Sequence, residues 1–460
     1  MTRIAPGPDV LLSGHDADIG RPPRRIDAVT LLSCYVFLLM VIPSSLVVGS
    51  LGVAGAPAAL LAVAILCWYL VARKHPGLGL DRGRQPVRVA ATIFAGVVVA
   101  AYISASRHAV PVSQQSGADR GLIVLAGWVG VLALAADGID RADRLRILLR
   151  RIVMLATAMA ALGLIEFGTG VDLAKYIVIP GLSVHQQVTD LMSRNGLVRV
   201  TATTAQPLEF NAVLAMSLPV ALHQARFAPA ALRVRRWLQV ALITAVIPLT
   251  GSRSAFFGLA VICIVLLPTW HRRDRRRAYL VAAAAPALAW LVKPSLVSSF
   301  NALFTQLGTD QSSLSRANAY SEAVPFIAAH PWLGQGFQTF FPQAHFFVDN
   351  QYLTSLLETG VLGLLALVAC FATGWFTARS ARARAADARQ RDLGQCLAAS
   401  MAVGAVCFAS FDALSFSIAA GLFFLLLGCV GAAWRLGRAQ HLAGDQVTGV
   451  SSINTGHLVR

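Results

Sequence analysis

Twelve apolar runs alternate along the chain with short clusters of arginine, and that alternation leaves few folds open. The runs lie at about residues 28–48, 55–72, 88–104, 121–137, 149–167, 207–223, 236–250, 254–270, 278–292, 350–375, 394–410 and 414–434. Each approaches the ~20 residues that an α-helix needs to cross the core of a bilayer. In that medium each backbone N–H and C=O must be paired within its own segment, so such runs are expected to be helical. Charged residues make up 13% of the sequence, about half the ~25% of soluble domains. The expected fold is an all-α integral membrane protein with about 12 transmembrane helices.

The arginines fix an orientation, because cytoplasmic loops collect Lys and Arg. With the N-terminus inside, 31 of the 39 basic residues fall on the cytoplasmic side. They cluster in both tails and over Arg73 to Arg88, Arg141 to Arg151, Arg226 to Arg236, Arg272 to Arg277 and Arg379 to Arg391. Eight remain outside: Arg107, Arg120, Lys175, Arg194, Arg199, Arg253, Lys293 and Arg316. Dropping a single span would invert every later loop. The net charge of +17 therefore reflects topology, and no nucleic-acid partner is expected, because such partners are bound by basic patches on soluble domains. The expected organisation is a disordered cytoplasmic tail over 1–27, a polytopic membrane domain over 28–434 and a cytoplasmic tail over 435–460, placed in the cytoplasmic (inner) membrane. Two long extracytoplasmic loops follow, about 168–206 and, between spans 9 and 10, about 293–349. The seven cysteines lie in or beside apolar runs with no CxxC spacing, which reads as small buried hydrophobes and not as a metal or disulfide framework. No cleavable signal peptide is evident, since the first apolar run has no small-residue cleavage site followed by a polar mature chain.

The loop before span 10 holds the densest group of chemically capable residues, and loops longer than ~15 residues are usually functional or disordered. Its aromatics, among them Phe326, Trp332, Phe340 and Phe346, argue against disorder. It carries Arg316, His330 in HPWLGQG, and the pair Asp349-Asn350 immediately before an apolar helix. A helix over Asn318 to His330, ended by Pro331, is expected, with Gly334 and Gly336 in a tight turn. GQG is too short for a phosphate loop, and no Lys-Ser/Thr follows it. His330 fits a ligand-binding or a capping role equally. Asp349 and Asn350 are both good N-caps, and one cap leaves the other residue free. Glu358 lies about two turns further on. Asp412, between the last two spans, fits the cap of a turn.

Arginines at membrane edges often snorkel to headgroups, and for any one of the outer arginines that reading suffices. Arg199 precedes span 6, Arg253 sits in the short GSRS turn between spans 7 and 8, and Arg316 opens the long loop. Three together, on the face that the charge bias depletes, favour a functional cluster. Guanidinium forks match phosphate oxygens bidentately, so a diphosphate at the outer leaflet is the expected ligand. Pro207 suits the first turn of span 6, and Glu209 complements that helix's positive end.

In this order the residues resemble the O-antigen ligase / O-antigen polymerase family of bacterial envelope glycan enzymes. The resemblance runs from Arg199 to about Val368. It rests on Arg199 to Pro207, the Ser252-Arg253 turn, Arg316, HPWLGQG, Asp349-Asn350, and Glu358, Gly360 and Gly363 of an E-x-G-x-x-G helix. It implies a GT-C-like glycosyltransferase architecture and surface polysaccharide biosynthesis, with transfer of an undecaprenyl-diphosphate-linked glycan to a glycan or lipid acceptor at the outer face of the bilayer. It also implies no metal and no cofactor, and the chain has no outer DxD-type carboxylate cluster. On this reading Arg199, Arg253, Arg316, Asn350 and Glu209 bind substrate, and Asp349 or His330 activates the acceptor. Asp349 stands where the family often has the histidine of a His-Asn pair, and Gln206 where a histidine is common; both departures point to polymerisation, or to ligation to another acceptor. The alternatives are a transporter or flippase of lipid-linked oligosaccharide and a non-catalytic envelope scaffold. A transporter would carry mid-span ionisable residues and symmetric halves, and few mid-span charges are present.

Overall fold

The computed structural model describes residues 27–455 except 76–79, 82, 108–110, 185–190, 195–196, 293, 306–310 and 342–344. Apart from Asp27, the expected N-terminal tail lies outside the described residues. The chain is mostly helical. Its helices are α1 Ala28–Val41, α2 Pro57–Lys74, α3 Pro86–Ala105, α4 Val112–Gly138, α5 Ala142–Thr169, α6 Pro207–Arg226, α7 Ala230–Val246, α8 Arg253–Leu266 and α9 Arg272–Val292. They continue with α10 Pro294–Thr305, α11 Gln311–Ala329, α12 Gln351–Ala383, α13 Ala388–Phe408 and α14 Ser417–Thr455. Each apolar run of the sequence has a helix at its heart. Among the described residues, α2, α3, α4, α5, α12 and the Ser417–Ala439 part of α14 are long and apolar enough to cross a membrane, by length and composition. Shorter apolar helices cover Ala28–Val41 and Arg253–Thr269. The chain is a multi-pass membrane protein.

Local chemistry sets the helix starts. Proline begins α2, α3 and α6, where its missing N–H costs nothing and its fixed φ fits. Asp27, Ser252, Asn350 and Asp387 cap α1, α8, α12 and α13 through their side chains, satisfying N–H groups that the first turn leaves open. α14 runs on past Arg435 into the expected polar tail, since no proline stops it.

The centre of the bundle is α14, with Leu422 to Leu427 fully buried, packed against α4, α12 and α13. Phe424 stacks on Trp128 of α4, ring centroids 5.4 Å apart, and Phe423 meets Phe371 of α12 at 4.5 Å. α6 packs against α13 and is buried along nearly its whole length. The periphery shows the opposite pattern: Leu70, Val71, Ile93, Ile264, Leu280 and Phe376 stand exposed. A soluble surface rarely shows so much apolar area; a lipid-facing one does. Buried ion pairs sit at the arginine-rich end. Asp137 accepts from Tyr69 Oη at 2.6 Å and pairs with Arg88. Asp392 of α13 binds His223 at 2.8 Å and pairs with Arg226, both of α6.

The loop after span 9 contains α10 and α11, and α11 is longer than the expected helix over Asn318 to His330. It continues through Pro325, because the proline falls in the last turns beside the exposed Val324, where a lost backbone bond is least costly. α12 breaks at Gly360, with φ 64° and ψ −166°. The HPWLGQG loop fills the break: Val361 N–H donates to Pro331 O at 2.9 Å, Gln335 N–H to Leu357 O at 2.9 Å and Gly336 N–H to Glu358 O at 2.8 Å. Backbone groups that the break would leave unpaired inside the protein are thereby satisfied. Gly334 has φ 63°, and a Cβ there would lie 2.3 Å from Glu358 C; one at Gly360 would lie 2.3 Å from Trp332 C. The two glycines thus join the loop to the broken helix.

Candidate functional site

A cavity of about 90 Å³ opens at the end of the bundle opposite the arginine-rich loops. Arg199, Arg253, Arg316 and Asp349 line it with Leu208, Ser252, Ser254 and Ser410. Four segments that are remote in sequence deliver the charged groups, and each is held by its own local structure.

Arg199 follows the hairpin of β3 Ser193–Arg194 and β4 Leu197–Val198. Its N–H donates to Met192 O at 2.9 Å, beside that hairpin. The next residues are clamped from below: Glu166 of α5 accepts from Thr201 and Ala202 N–H at 3.1 and 2.9 Å, and Thr203 Oγ1 donates to Met40 O at 2.8 Å. A second strand pair, β1 Leu46–Val47 with β2 Ser183–Val184, ties the same loop to the connection after α1. Arg253 is the first residue of α8, after the Ser252 cap. Ser252 and Ser254 hydroxyls meet at 2.5 Å, and Asn211 of α6 donates to Ser254 Oγ at 3.1 Å, which fixes the turn against α6. Arg316 comes from α11.

Each arginine donates an N–H to a backbone carbonyl. Arg199 Nε donates to Thr250 O at 2.8 Å, Arg253 Nε to Leu303 O at 2.6 Å, and Arg316 Nη2 to Ser410 O at 3.0 Å. These carbonyls lie at or just beyond the C-terminal ends of helical segments, where the negative end of the helix dipole suits a cation. Arg316 Nε is buried with no hydrogen-bond partner among the described residues, and a buried charged donor left unmade is costly. Three cations face one carboxylate, so an anion is the ligand that the cavity's charge suits.

The pair before α12 divides its work. Asn350 takes the cap: its Oδ1 accepts from Tyr352 N–H at 3.0 Å, and its Nδ2 donates to Tyr320 Oη at 2.8 Å. Asp349 is left to line the cavity. His330 ends α11, where its carbonyl accepts from Gly334 N–H at 3.1 Å, and it is not among the residues lining the cavity. Glu209 is fully buried. Its Oε2 accepts from Ala205 N–H at 2.9 Å, and its Oε1 accepts from Ile418 and Ala419 N–H at 2.9 and 3.2 Å. It joins the start of α6 to the start of α14. Neither Asn350 nor Glu209 lines the cavity. Of the seven expected site residues, the structure brings Arg199, Arg253, Arg316 and Asp349 together.

Asp412, expected only to cap a turn, lies two residues beyond the cavity-lining Ser410. Burial pushes its carboxyl up to about 7, and the nearby carboxylates Asp349 and Glu209 add to the shift. A carboxyl raised toward neutrality and coupled to the cavity-lining Asp349 suits proton transfer. Only its place between two spans marked it in the sequence. Among the described residues, His223, Asp392 and Cys396 form a group with metal-ligand spacing. It lies at the other end of α6, roughly 22 Å from Leu208 by helical rise. Arg226 already pairs with Asp392 there, so the trio reads as a clamp between α6 and α13.

Residues 238–368 match the family described as O-antigen ligase. That segment includes Arg253, Arg316, His330, Asp349 and the Glu358–Gly363 turn. A curated O-antigen ligase of Pseudomonas aeruginosa is 26% identical over 186 residues, which cover 36% of this chain and 44% of the relative. The chain therefore matches less than half the length of that relative. The resemblance read from the ordered motifs, to the O-antigen ligase and O-antigen polymerase family, is borne out by both comparisons.

Proposed function

We propose that the chain is a metal-independent membrane glycosyltransferase that polymerises or ligates a glycan carried on undecaprenyl diphosphate. It acts at the outer face of the cytoplasmic membrane through about 12 spans in a GT-C-like arrangement, with both termini cytoplasmic. The single observation that carries this reading is the convergence of Arg199, Arg253, Arg316 and Asp349 on one cavity, away from the basic loops. The arginines hold the donor diphosphate and supply the positive charge that a divalent cation provides in other sites. The acceptor hydroxyl attacks the anomeric carbon and its proton passes to Asp349. The bond from that carbon to the diphosphate oxygen breaks, and the electron pair leaves on polyprenyl diphosphate, stabilised by the guanidinium groups. His330 is the runner-up for the base. The Asp349 departure favours polymerisation, or ligation to an acceptor other than lipid A.

The test is transfer by the purified full chain, reconstituted in sealed vesicles with a lipid-linked oligosaccharide donor and an acceptor glycan that cannot cross the bilayer. Transfer is expected in right-side-out vesicles, without ATP and undiminished by EDTA. Loss on chelation, restored by Mg²⁺ or Mn²⁺, would assign a different enzyme class. Activity confined to inside-out vesicles would place the cavity on the cytoplasmic side.

A further inference from the structure

At the arginine-rich end of the bundle a second cavity, of about 50 Å³, lies between α5, α6, α7 and α13. Arg146 and Arg150 of α5, Arg236 of α7 and Arg389 of α13 line it, with Gln224 of α6. Like charges gathered from three helices repel: the field of Arg150 acts on Arg236, and those of Arg146 and Arg150 act on Arg389. Arg226, one turn from His223, shows the usual remedy, because it pairs with Asp392. Among the described residues no carboxylate lies within ion-pair distance of the four. Asp387, whose field reaches Arg389, is engaged in capping α13 through Gln390 N–H at 2.7 Å.

Gln224 supplies the second, independent observation. Both ends of its amide, Nε2 and Oε1, are buried without a hydrogen-bond partner among the described residues. Buried amide atoms are normally paired, and a group that both accepts and donates would satisfy this one. His223, paired with Asp392, also lines the cavity, and the wall toward α7 is apolar, with Leu232 and Phe227; Leu232 begins the exposed apolar surface of α7 that includes Val234 and Leu238. The ligand therefore combines negative charge, a hydroxyl donor and an apolar tail.

We propose that this cavity binds the phosphodiester headgroup of an anionic phospholipid whose headgroup carries hydroxyls, of the phosphatidylglycerol kind. The guanidinium forks take the phosphate oxygens, as basic pockets between helices at this face do for acidic lipids. Gln224 Nε2 donates to the phosphate, and Gln224 Oε1 accepts from a headgroup hydroxyl. The acyl chains lie along α7. The site is distinct from the outer cavity and does not depend on the glycan-transfer reading.

The test uses the detergent-purified full chain incubated separately with phosphatidylglycerol, phosphatidylcholine and sodium phosphate, the last matched with sodium chloride for ionic strength. Lipid retention is read by native mass spectrometry and stability by Tm. The expected result is retention of one phosphatidylglycerol, preferred over phosphatidylcholine by on the order of tenfold or more. A Tm rise of about 3 °C should accompany it. The Arg150→Gln/Arg236→Gln double variant and, separately, Gln224→Leu should lose both effects, whereas Arg272→Gln/Arg276→Gln should keep them. Gln224→Leu keeps the side-chain bulk and guards against misfolding of the double variant. If sodium phosphate alone gives the same Tm rise and displaces the lipid, the cavity binds phosphate and the lipid assignment is wrong. Equal retention of both lipids, or retention unchanged in Gln224→Leu and the double variant, overturns the proposal.

Discussion

Asp349→Asn should lower turnover by ~10²-fold or more, the usual weight of a general base, while the protein folds and inserts as before. The exchange removes the proton acceptor and keeps the size of the side chain. It should not disturb α12, because the cap of that helix belongs to Asn350. As a general base it takes the acceptor's proton as the new bond to the anomeric carbon forms. The neighbouring substitution should behave in the opposite way. Asn350→Ala should cost about 1 kcal/mol of stability, as lost N-caps do, with a much smaller effect on rate. Initial rates measured beside Tm separate the two residues. Full activity in Asp349→Asn together with loss in His330→Ala would transfer the base to His330.

Gly334→Ala and Gly360→Ala should each destabilise the protein by about 2–4 kcal/mol, combining left-handed backbone strain with overpacking. Both glycines have φ near +60°, and each added Cβ would lie 2.3 Å from backbone of the opposing segment. Neither neighbour can yield, since both segments are tied by the bonds from Val361, Gln335 and Gly336. The double variant should lose less than the sum of the two, because either change opens the same junction. Gly168→Ala is the control: it lies in α5 with open space around it and should stay within about 0.5 kcal/mol of the parent. Tm values and yields of folded protein check the series. Unchanged stability in Gly334→Ala would mean that the loop does not occupy the break in α12.

The apolar runs and their basic punctuation made the helical membrane fold legible, because both signals are local and repeat along the chain. The same bookkeeping exposed Arg199, Arg253 and Arg316 as residues on the unexpected side. It could not show that they meet. Their anchors are Thr250, Leu303 and Ser410, lying 51, 50 and 94 residues away, and nothing local encodes such contacts. Asp349 and Asn350 were indistinguishable as caps until the backbone chose Asn350. Glu209 read as a helix-end carboxylate, and it is one, but two of its three partners lie 209 and 210 residues away, in α14. The glycines of HPWLGQG read as a turn. Their partner in the broken helix was invisible, because a helix break at Gly360 leaves no mark in hydropathy. α10 went unread for a related reason: it is short and lies in the long loop.

Whether three guanidinium groups hold one diphosphate is decided by equilibrium binding of undecaprenyl diphosphate to the purified protein. Wild type should bind it, EDTA should leave binding intact, and high salt should weaken it. Arg253→Lys keeps the charge and loses the fork, so it should weaken binding by about tenfold, and Arg253→Ala by on the order of a hundredfold. Arg199→Ala and Arg316→Ala should fall in the same range as Arg253→Ala, and Arg107→Ala should match wild type. Binding that survives all three cavity substitutions would mean that the diphosphate is held elsewhere.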